Sequence, residues 1–247
     1  MKPLSMVFFV LTVLAAWVVQ TGAQQMCPAQ CSCSCPIGDF NAYEFKEAVA
    51  NATPVTVCTN FSCGDIVVKR TIRLLTPTPD TPGGQHYLAY ELRSETYDEK
   101  QNPGVLTFQT SHNTTTQDTR LQTILLMVPA GKSIPSKGEP PPTLPATSDG
   151  FLCFKPSSVR LGIGSVTNTD QLATQTFVIH RVAYTCVSAG INAPPPAADT
   201  WLLGVAAKDS TFHFPPEAAI IDIFHPSGEV IDLDPIDELV SVATVTP

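Results

Sequence analysis

The sequence predicts a mainly β chain, an antiparallel β-sandwich or barrel-like domain, with a small Cys-rich N-terminal module that is stapled by disulfides and contains one short helix. Three observations predict this fold class. Short β-rich runs with polar residues between them recur from Asp65 onward. Proline follows many of these runs closely, where its missing N–H ends a strand ladder. Most of the 8 cysteines precede Gly64, which is typical of a disulfide-rich head.

Residues 1–23 have the features of a secretory signal peptide. Lys2 supplies positive charge, residues 4–19 form an apolar run, and Thr21-Gly22-Ala23 supplies the small residues that precede cleavage at Gln24. The apolar run is shorter than the roughly 20 residues that a helix needs to span a bilayer, so we prefer a cleaved leader over an uncleaved anchor. We therefore expect a secreted mature chain with no membrane span.

Residues 24–64 form the predicted Cys-rich module. Its helix is expected to begin near Asp39 or Asn41, because Asn41 and Glu44 have the spacing of a capping box, and to end before Pro54. The loose apolar face of this helix consists of Tyr43, Phe45, Ala48, Val49 and Ala52.

The cysteines of the module are expected to form disulfides. The alternate spacing Cys31-Ser-Cys33-Ser-Cys35 can also hold a soft metal, but an oxidising compartment favours disulfides. Cysteines two residues apart pair poorly, so each is expected to reach a distant partner such as Cys58 or Cys63. The pattern leaves the connectivity open for the set Cys27, Cys31, Cys33, Cys35, Cys58 and Cys63.

Residues 65–247 form the predicted β-rich domain. His225-Pro-Ser-Gly228 between two alternating runs indicates a hairpin turn. The proline-rich stretches 137–145 and 192–198 are expected to be exposed loops of polyproline type, and either can offer a docking strip to a partner. The strand candidates are Ile66–Leu75, Tyr87–Arg93, Val105–Thr110, Leu121–Val128, Phe151–Phe154, Phe177–Cys186, Trp201–Ala206, Ala219–Phe224 and Glu229–Leu233.

Cys153 and Cys186 are expected to pair with each other, since each lies in an apolar strand-like run. The competing pairing joins one of them to the N-terminal cysteines. The chain also carries three N-glycosylation sequons, at Asn51, Asn60 and Asn113, as expected of a secreted protein.

The net charge of −8 argues against nucleic-acid binding, because phosphate contacts require a basic surface. The acidity is concentrated after Lys208, where no Lys or Arg follows. No calcium-loop motif is present there. Asp234 followed by Pro235 is typical of a helix start, which accounts for the acidic residues without a metal, so we predict no metal site.

No catalytic constellation or cofactor motif is predicted. The five histidines are dispersed, and Gly162-Ile-Gly-Ser-Val166 lacks the second glycine of a nucleophile elbow. Asp222, His225 and Ser227 are close in sequence, but this grouping fits an ordinary turn better than a triad. Trp201 is the only tryptophan after the leader, and we expect it in the core rather than on a sugar face.

These observations predict a secreted, N-glycosylated binding or structural protein of the extracellular space or cell surface, without catalytic activity. Its partner is expected to be an extracellular protein or a glycan. The alternatives are a secreted hydrolase with an unrecognised site and a carbohydrate-binding protein. A structure that pairs His180, His213 or His225 with a carboxylate and a hydroxyl in a deep pocket would favour the hydrolase.

Overall fold

The computed structural model describes residues 39–48, 53–78, 84–170, 172, 174–209, 217–234 and 236–247. These residues form strands joined by turns, with short 3-10 helices at Glu99–Gln101 and Pro135–Lys137 and no α-helix. The strands are β1 (Asp39–Ala48), β2 (Val55–Cys58), β3 (Cys63–Thr78), β4 (His86–Glu95), β5 (Val105–Gln109), β6 (Thr114–Asp118), β7 (Thr123–Ser133), β8 (Asp149–Phe154), β9 (Arg160–Thr169), β10 (Thr174–Ile191), β11 (Trp201–Asp209), β12 (Ala218–Ile221), β13 (Glu229–Ile231) and β14 (Ile236–Thr246).

Eight of these strands close into a ring. The antiparallel pairings run from β1 through β3, β4, β7, β8, β10, β11 and β14, and β14 pairs with β1 again. Closure leaves none of these eight strands as a free edge along its paired length, which is how an antiparallel sheet avoids pairing with another chain. The chain is therefore mainly β and antiparallel, as the sequence predicts.

The inside of the ring is filled by alternate residues of every strand in it. On β4, Tyr87 and Ala89 belong to this inner cluster, whereas Leu88 and Tyr90 belong to the outer one. A side chain at position 204 would lie 2.2 Å from the Tyr184 ring, so Gly204 makes room for that ring. The inner cluster consists of Phe40, Ala42, Ile72, Leu75, Tyr87, Ala89, Leu125, Met127, Phe151, Cys153, Tyr184, Cys186, Leu202 and Val240.

The outer face of the ring carries a second, larger apolar cluster, which the shorter strands help to cover. β2 joins β3 and β10, β9 joins β10, the β5–β6 hairpin joins β14, and the β12–β13 hairpin joins β7. Both faces of the ring strands are thus buried over much of their length. This explains why many of them are continuous apolar runs rather than strict alternations.

The helix predicted to begin near Asp39 or Asn41 is wrong over the described residues 39–48. Residues 39–48 form β1, which lies between β3 and β14. Because both faces of this strand are buried, its apolar residues mimic the spacing of an amphipathic helix. The side chain of Asn41 donates to Asp170, 2.7 Å away, instead of capping a helix.

The predicted module of residues 24–64 is integrated into the sheet as far as it is described. β1 pairs with β3 and β14, and β2 pairs with β3 and β10. Residues 24–38, which carry Cys27, Cys31, Cys33 and Cys35, lie outside the described residues, as does the predicted leader. No helix in the described ranges is long and apolar enough to cross a bilayer.

The helix start predicted at Asp234-Pro235 is also wrong. From Ile236 the chain forms β14, which closes the ring between β1 and β11. The valines of this strand favour an extended backbone, and packing on both sides outweighs the helix-start signal. The shorter or more polar strands β2, β6 and β9 are additional strands without an apolar run that predicts them.

Candidate functional site

The described residues contain a half-open cavity of about 430 Å³ beside the β12–β13 hairpin. It lies between the loop that joins these strands, the segment that leads into β2 and the end of β10. Ile223 in its wall is 42% exposed, so the cavity offers an apolar surface to solvent. The lining residues are Thr53, Pro54, Val55, Asn192, Ile223, Phe224 and Pro226.

The hairpin loop is shaped by Asp222. Its Oδ1 accepts hydrogen bonds from the backbone N–H groups of Phe224, at 2.9 Å, and His225, at 2.8 Å. An aspartate that binds the backbone two residues ahead is typical of turns. Gly228 then adopts a φ of +74°, and its N–H donates to the carbonyl of His225, 3.1 Å away. This loop is the turn predicted at residues 225–228.

A polar cluster lies at the base of the loop, with Tyr90 and Asp222 fully buried. We call it the Tyr90 cluster, and it consists of Tyr90, Asp222, His225 and Glu229. The Tyr90 hydroxyl donates to Asp222 Oδ2 and lies 3.0 Å from His225 Nδ1. The same ring nitrogen is 3.1 Å from Asp222 Oδ1, and the other, Nε2, is 3.6 Å from Glu229 Oε2. The Tyr90 ring also packs edge-on against Phe224, with ring centroids 4.8 Å apart.

Burial controls the chemistry of this cluster. Tyr90 and Asp222 are both 0% exposed. Burial, followed by the negative charge of Asp222, raises the pKa of Tyr90 well above its usual 10. The phenol therefore stays protonated and acts as a hydrogen-bond donor. Both Asp222 oxygens accept hydrogen bonds, so the arrangement satisfies a buried carboxylate and ties the hairpin to β4.

The sequence grouping of Asp222, His225 and Ser227 is brought together only in part. Asp222 and His225 are in contact, but the hydroxyl that His225 meets belongs to Tyr90 on β4, while Ser227 is exposed in the turn. Sequence reasoning missed Tyr90 because it is separated from Asp222 by 132 positions. Only the pairing of β4 with β7, and of β7 with β12, brings the two together.

A second buried carboxylate, Asp170, has a similar structural role. Its Oδ2 accepts hydrogen bonds from Asn41 Nδ2, at 2.7 Å, and from the Tyr43 hydroxyl, at 2.8 Å. Its Oδ1 accepts the backbone N–H of Leu172, 2.7 Å away. These contacts fasten the end of β9 to the outer face of β1.

The other predicted site residues that are described, His180 and Trp201, do not line the cavity. His180 is exposed on β10, and His213 lies outside the described residues. Trp201 is 5% exposed and packs against Phe61 and Phe108, with ring centroids 6.0 and 5.7 Å apart.

The acidic C-terminal segment is divided between solvent and core. Asp232 and Asp234 are exposed, whereas Glu238 Oε1 lies 3.1 Å from an Arg73 guanidinium nitrogen. Within the described ranges, no three His, Cys, Asp or Glu side chains converge as metal ligands do.

The described part of the chain contains two disulfides. Cys153 in β8 and Cys186 in β10 are joined inside the ring, which is the pairing that the sequence predicts. Cys58 and Cys63 are joined across the β2–β3 hairpin. The expectation that Cys58 or Cys63 reaches back to Cys31, Cys33 or Cys35 is therefore wrong, because the tight hairpin places Cys58 directly opposite Cys63.

Of the three sequons, two lie in described turns. Asn60 is exposed in the turn between β2 and β3, and Asn113 is partly exposed in the turn between β5 and β6. Asn51 lies outside the described residues.

Comparisons of the chain with models of known protein families, with curated proteins and with solved structures found no match.

Proposed function

We propose that this chain is a secreted, N-glycosylated, disulfide-stabilised extracellular protein that acts by binding a protein or glycan partner and not by catalysis. The observation that carries the proposal is the state of the Tyr90 cluster. This group of titratable side chains adjoins the cavity, yet its hydroxyl and carboxylate are used in hydrogen bonds to each other and to the hairpin backbone.

The hydrolase alternative requires a nucleophile that can lose its proton. The hydroxyl beside His225 is a fully buried phenol with a raised pKa, which opposes ionisation. The cavity instead presents Ile223 and Phe224, with the polar side chains of Thr53 and Asn192 at the same surface. An apolar surface with a few polar groups is typical of binding sites.

Two further observations support an extracellular location. Disulfides persist in oxidising compartments, and the described residues contain two. The N-terminal leader pattern and the sequons in the sequence agree with secretion. N-terminal sequencing of the protein from culture medium should begin at Gln24 or within a residue or two of it. Recovery of intact Met1 in a membrane fraction would contradict the proposal.

Binding can be tested with a matched pair of variants. We expect wild-type protein, displayed as a multivalent fusion, to bind extracellular matrix or a glycan array. Ile223→Glu places a charge in the cavity wall and should abolish binding. Val230→Glu places the same charge on the same hairpin at a residue that is 58% exposed and outside the cavity, and it should bind normally. Equal binding by both variants would exclude the cavity as the binding site.

The hydrolase alternative has its own test. With p-nitrophenyl acetate as the probe, wild type and His225→Ala should show the same background rate. Wild-type turnover that disappears in a folded His225→Ala variant would overturn the non-catalytic proposal.

A further inference from the structure

The side-chain amide of Asn60 holds two hydrogen bonds across the surface. Its Nδ2 donates to the carbonyl of Pro196, 3.1 Å away, and to Asp199 Oδ1, 2.9 Å away. A primary amide nitrogen has two N–H groups, and here both are used. Both acceptors belong to the proline-rich segment Ala193–Asp199, which we call the proline loop.

Between its two ends, the proline loop is held by these two bonds and by a long contact from Ser188 Oγ to the Ala198 carbonyl, at 3.4 Å. Pro194, Pro195 and Pro196 have no N–H to donate, so this part of the loop can be held only through its carbonyls and side chains. The two ends are fixed separately, by Asn192 N–H to the Thr56 carbonyl at 2.7 Å and by Thr200 N–H to Ser188 Oγ at 2.9 Å.

The turn that carries Asn60 is rigid without the loop. The Thr59 hydroxyl accepts the N–H groups of Phe61 and Ser62 and contacts the Tyr97 hydroxyl at 2.7 Å. The Cys58–Cys63 disulfide closes its base. Loss of the Asn60 bonds should therefore release the loop and leave the turn in place.

Asn60 is also the acceptor of the sequon Asn60-Phe-Ser62. Glycosylation forms a bond from Nδ2 to C1 of the first sugar and breaks the bond from C1 to the phosphate of a lipid-linked oligosaccharide donor. The lipid pyrophosphate departs as the leaving group with the proton that Nδ2 loses, and Nδ2 keeps a single N–H. That nitrogen can no longer donate to both Pro196 and Asp199, and the sugar occupies space on the loop side.

We propose that glycosylation of Asn60 and docking of the proline loop are mutually exclusive, so that the glycan at this one atom releases the loop to solvent. The inference rests on the proposed extracellular function, since the donor is found in the secretory pathway. Asn113 provides the contrast: its hydrogen bonds to Thr110 use its own backbone N–H and carbonyl, so a glycan there leaves them intact.

The experiment compares the backbone order parameters of Ala197, Ala198 and Asp199, measured by nitrogen-15 NMR relaxation. Wild type is produced in a glycosylating secretory host and in a bacterial periplasm that forms disulfides but adds no N-glycan. We expect order parameters of about 0.85 in the unglycosylated protein and below about 0.6 in the glycosylated protein, because the released loop moves on the nanosecond timescale. The glycan is not removed with a glycan-cleaving amidase, because that enzyme converts Asn60 into an aspartate. A carboxylate at this position cannot donate a hydrogen bond to the Pro196 carbonyl.

Three variants from the glycosylating host separate the causes. Ser62→Ala destroys the sequon but keeps the Asn60 amide, so its loop should be as ordered as that of the unglycosylated wild type. This variant loses a long contact from Asp98 N–H to Ser62 Oγ, at 3.4 Å. Asn60→Gln removes both the glycan and the amide that binds the loop, so its loop should have low order parameters. Asn113→Gln removes the other described sequon and should behave as glycosylated wild type.

Equal order parameters in glycosylated wild type and Ser62→Ala would overturn the inference, and so would a glycan at Asn113 with none at Asn60. A chain that is retained in the cell without any glycan would instead contradict the proposed extracellular function.

Discussion

The two disulfides staple two very different regions of the molecule. Cys153 and Cys186 are both 0% exposed inside the closed ring, and their bridge spans 33 positions of sequence. Cys58 and Cys63 join the ends of one exposed turn and are 5 positions apart. Both bridges connect directly opposed strands, with Cα atoms 4.0 and 4.1 Å apart. The two disulfides therefore differ in their burial and in the length of the loop that each one closes.

The chain-entropy model assigns the inner bridge the larger share of stability, because it closes the longer loop. The inner bridge also fills space in the ring that alanine would leave empty. The hairpin bridge instead fixes a surface turn on which Asn60 sits. The interior thus determines whether the ring folds, and the hairpin determines what the surface presents.

The largest expected effect is loss of the inner bridge. Cys153→Ala/Cys186→Ala should lower the free energy of unfolding by about 4 kcal/mol, against about 2 kcal/mol for Cys58→Ala/Cys63→Ala. Urea unfolding of the two double variants measures both values. Equal losses would show that loop length and burial do not distinguish the two regions.

The second comparison uses ion pairs. Arg73 and Glu238 face each other with side chains 15% and 9% exposed, whereas Arg70 and Glu91 form a bidentate pair with side chains 37% and 32% exposed. Glu238→Gln should cost about 3 kcal/mol, because it leaves a buried guanidinium without its counter-charge. Glu91→Gln should cost less than about 1 kcal/mol and lose its effect in high salt. Thermal unfolding at two salt concentrations tests this difference.

Tyr90→Phe should destabilise the fold by about 2 kcal/mol, since it leaves a buried Asp222 oxygen without its donor. Tyr87→Phe, which changes a buried tyrosine of the inner cluster on the same strand, is the control and should cost less. Calorimetry of the two variants provides the values. A larger loss of unfolding free energy for Tyr87→Phe would show that the Tyr87 hydroxyl, inside the ring, contributes more to stability than the Tyr90 hydroxyl.

The smallest expected effect concerns pH. Burial, followed by the positive charge of Lys132, lowers the pKa of His86 from 6.5 to about 3. Between these values the unfolded chain binds a proton that the folded chain does not, so His86 causes stability to fall as the pH decreases from about 6.5 towards 3. His86→Gln should recover about 1 to 2 kcal/mol of this loss at pH 5. Urea unfolding of wild type and His86→Gln at pH 5 and pH 7 measures the difference, and the same pH dependence in both proteins would contradict it.

The sequence predicts the strands better than the connections between them. Apolar runs such as Tyr87–Arg93 and Phe177–Cys186 lie within observed strands because two buried faces require apolar residues on both sides. The same property produced the wrong helix over β1, where helical spacing and double burial give the same pattern. The sequence did not predict β14, because Asp234-Pro235 is a local signal for a helix start. Pairing with β1 and β11 in the ring outweighs that signal.

The candidate site was predictable only in its local part. Asp222, His225 and the turn at Gly228 lie within seven positions of one another, and turn chemistry follows from neighbouring residues. The hydroxyl that completes the Tyr90 cluster comes from Tyr90, and Asn192 lines the cavity. Both residues are far in sequence from the hairpin loop.

The sequence by itself determined the mainly β composition, the position of the turn at 225–228 and the apolar character of the runs around Cys153 and Cys186. These depend on side-chain volume, branching and turn residues, which act over a few positions. Only the tertiary structure decided that the sheet closes, which face of each strand lies inside, and that Asn60 meets the proline loop. Some of these contacts join residues more than a hundred positions apart, such as Phe40 with Val240 and Asn60 with Pro196. Their free energy depends on which strands pair, a choice that no local pattern encodes.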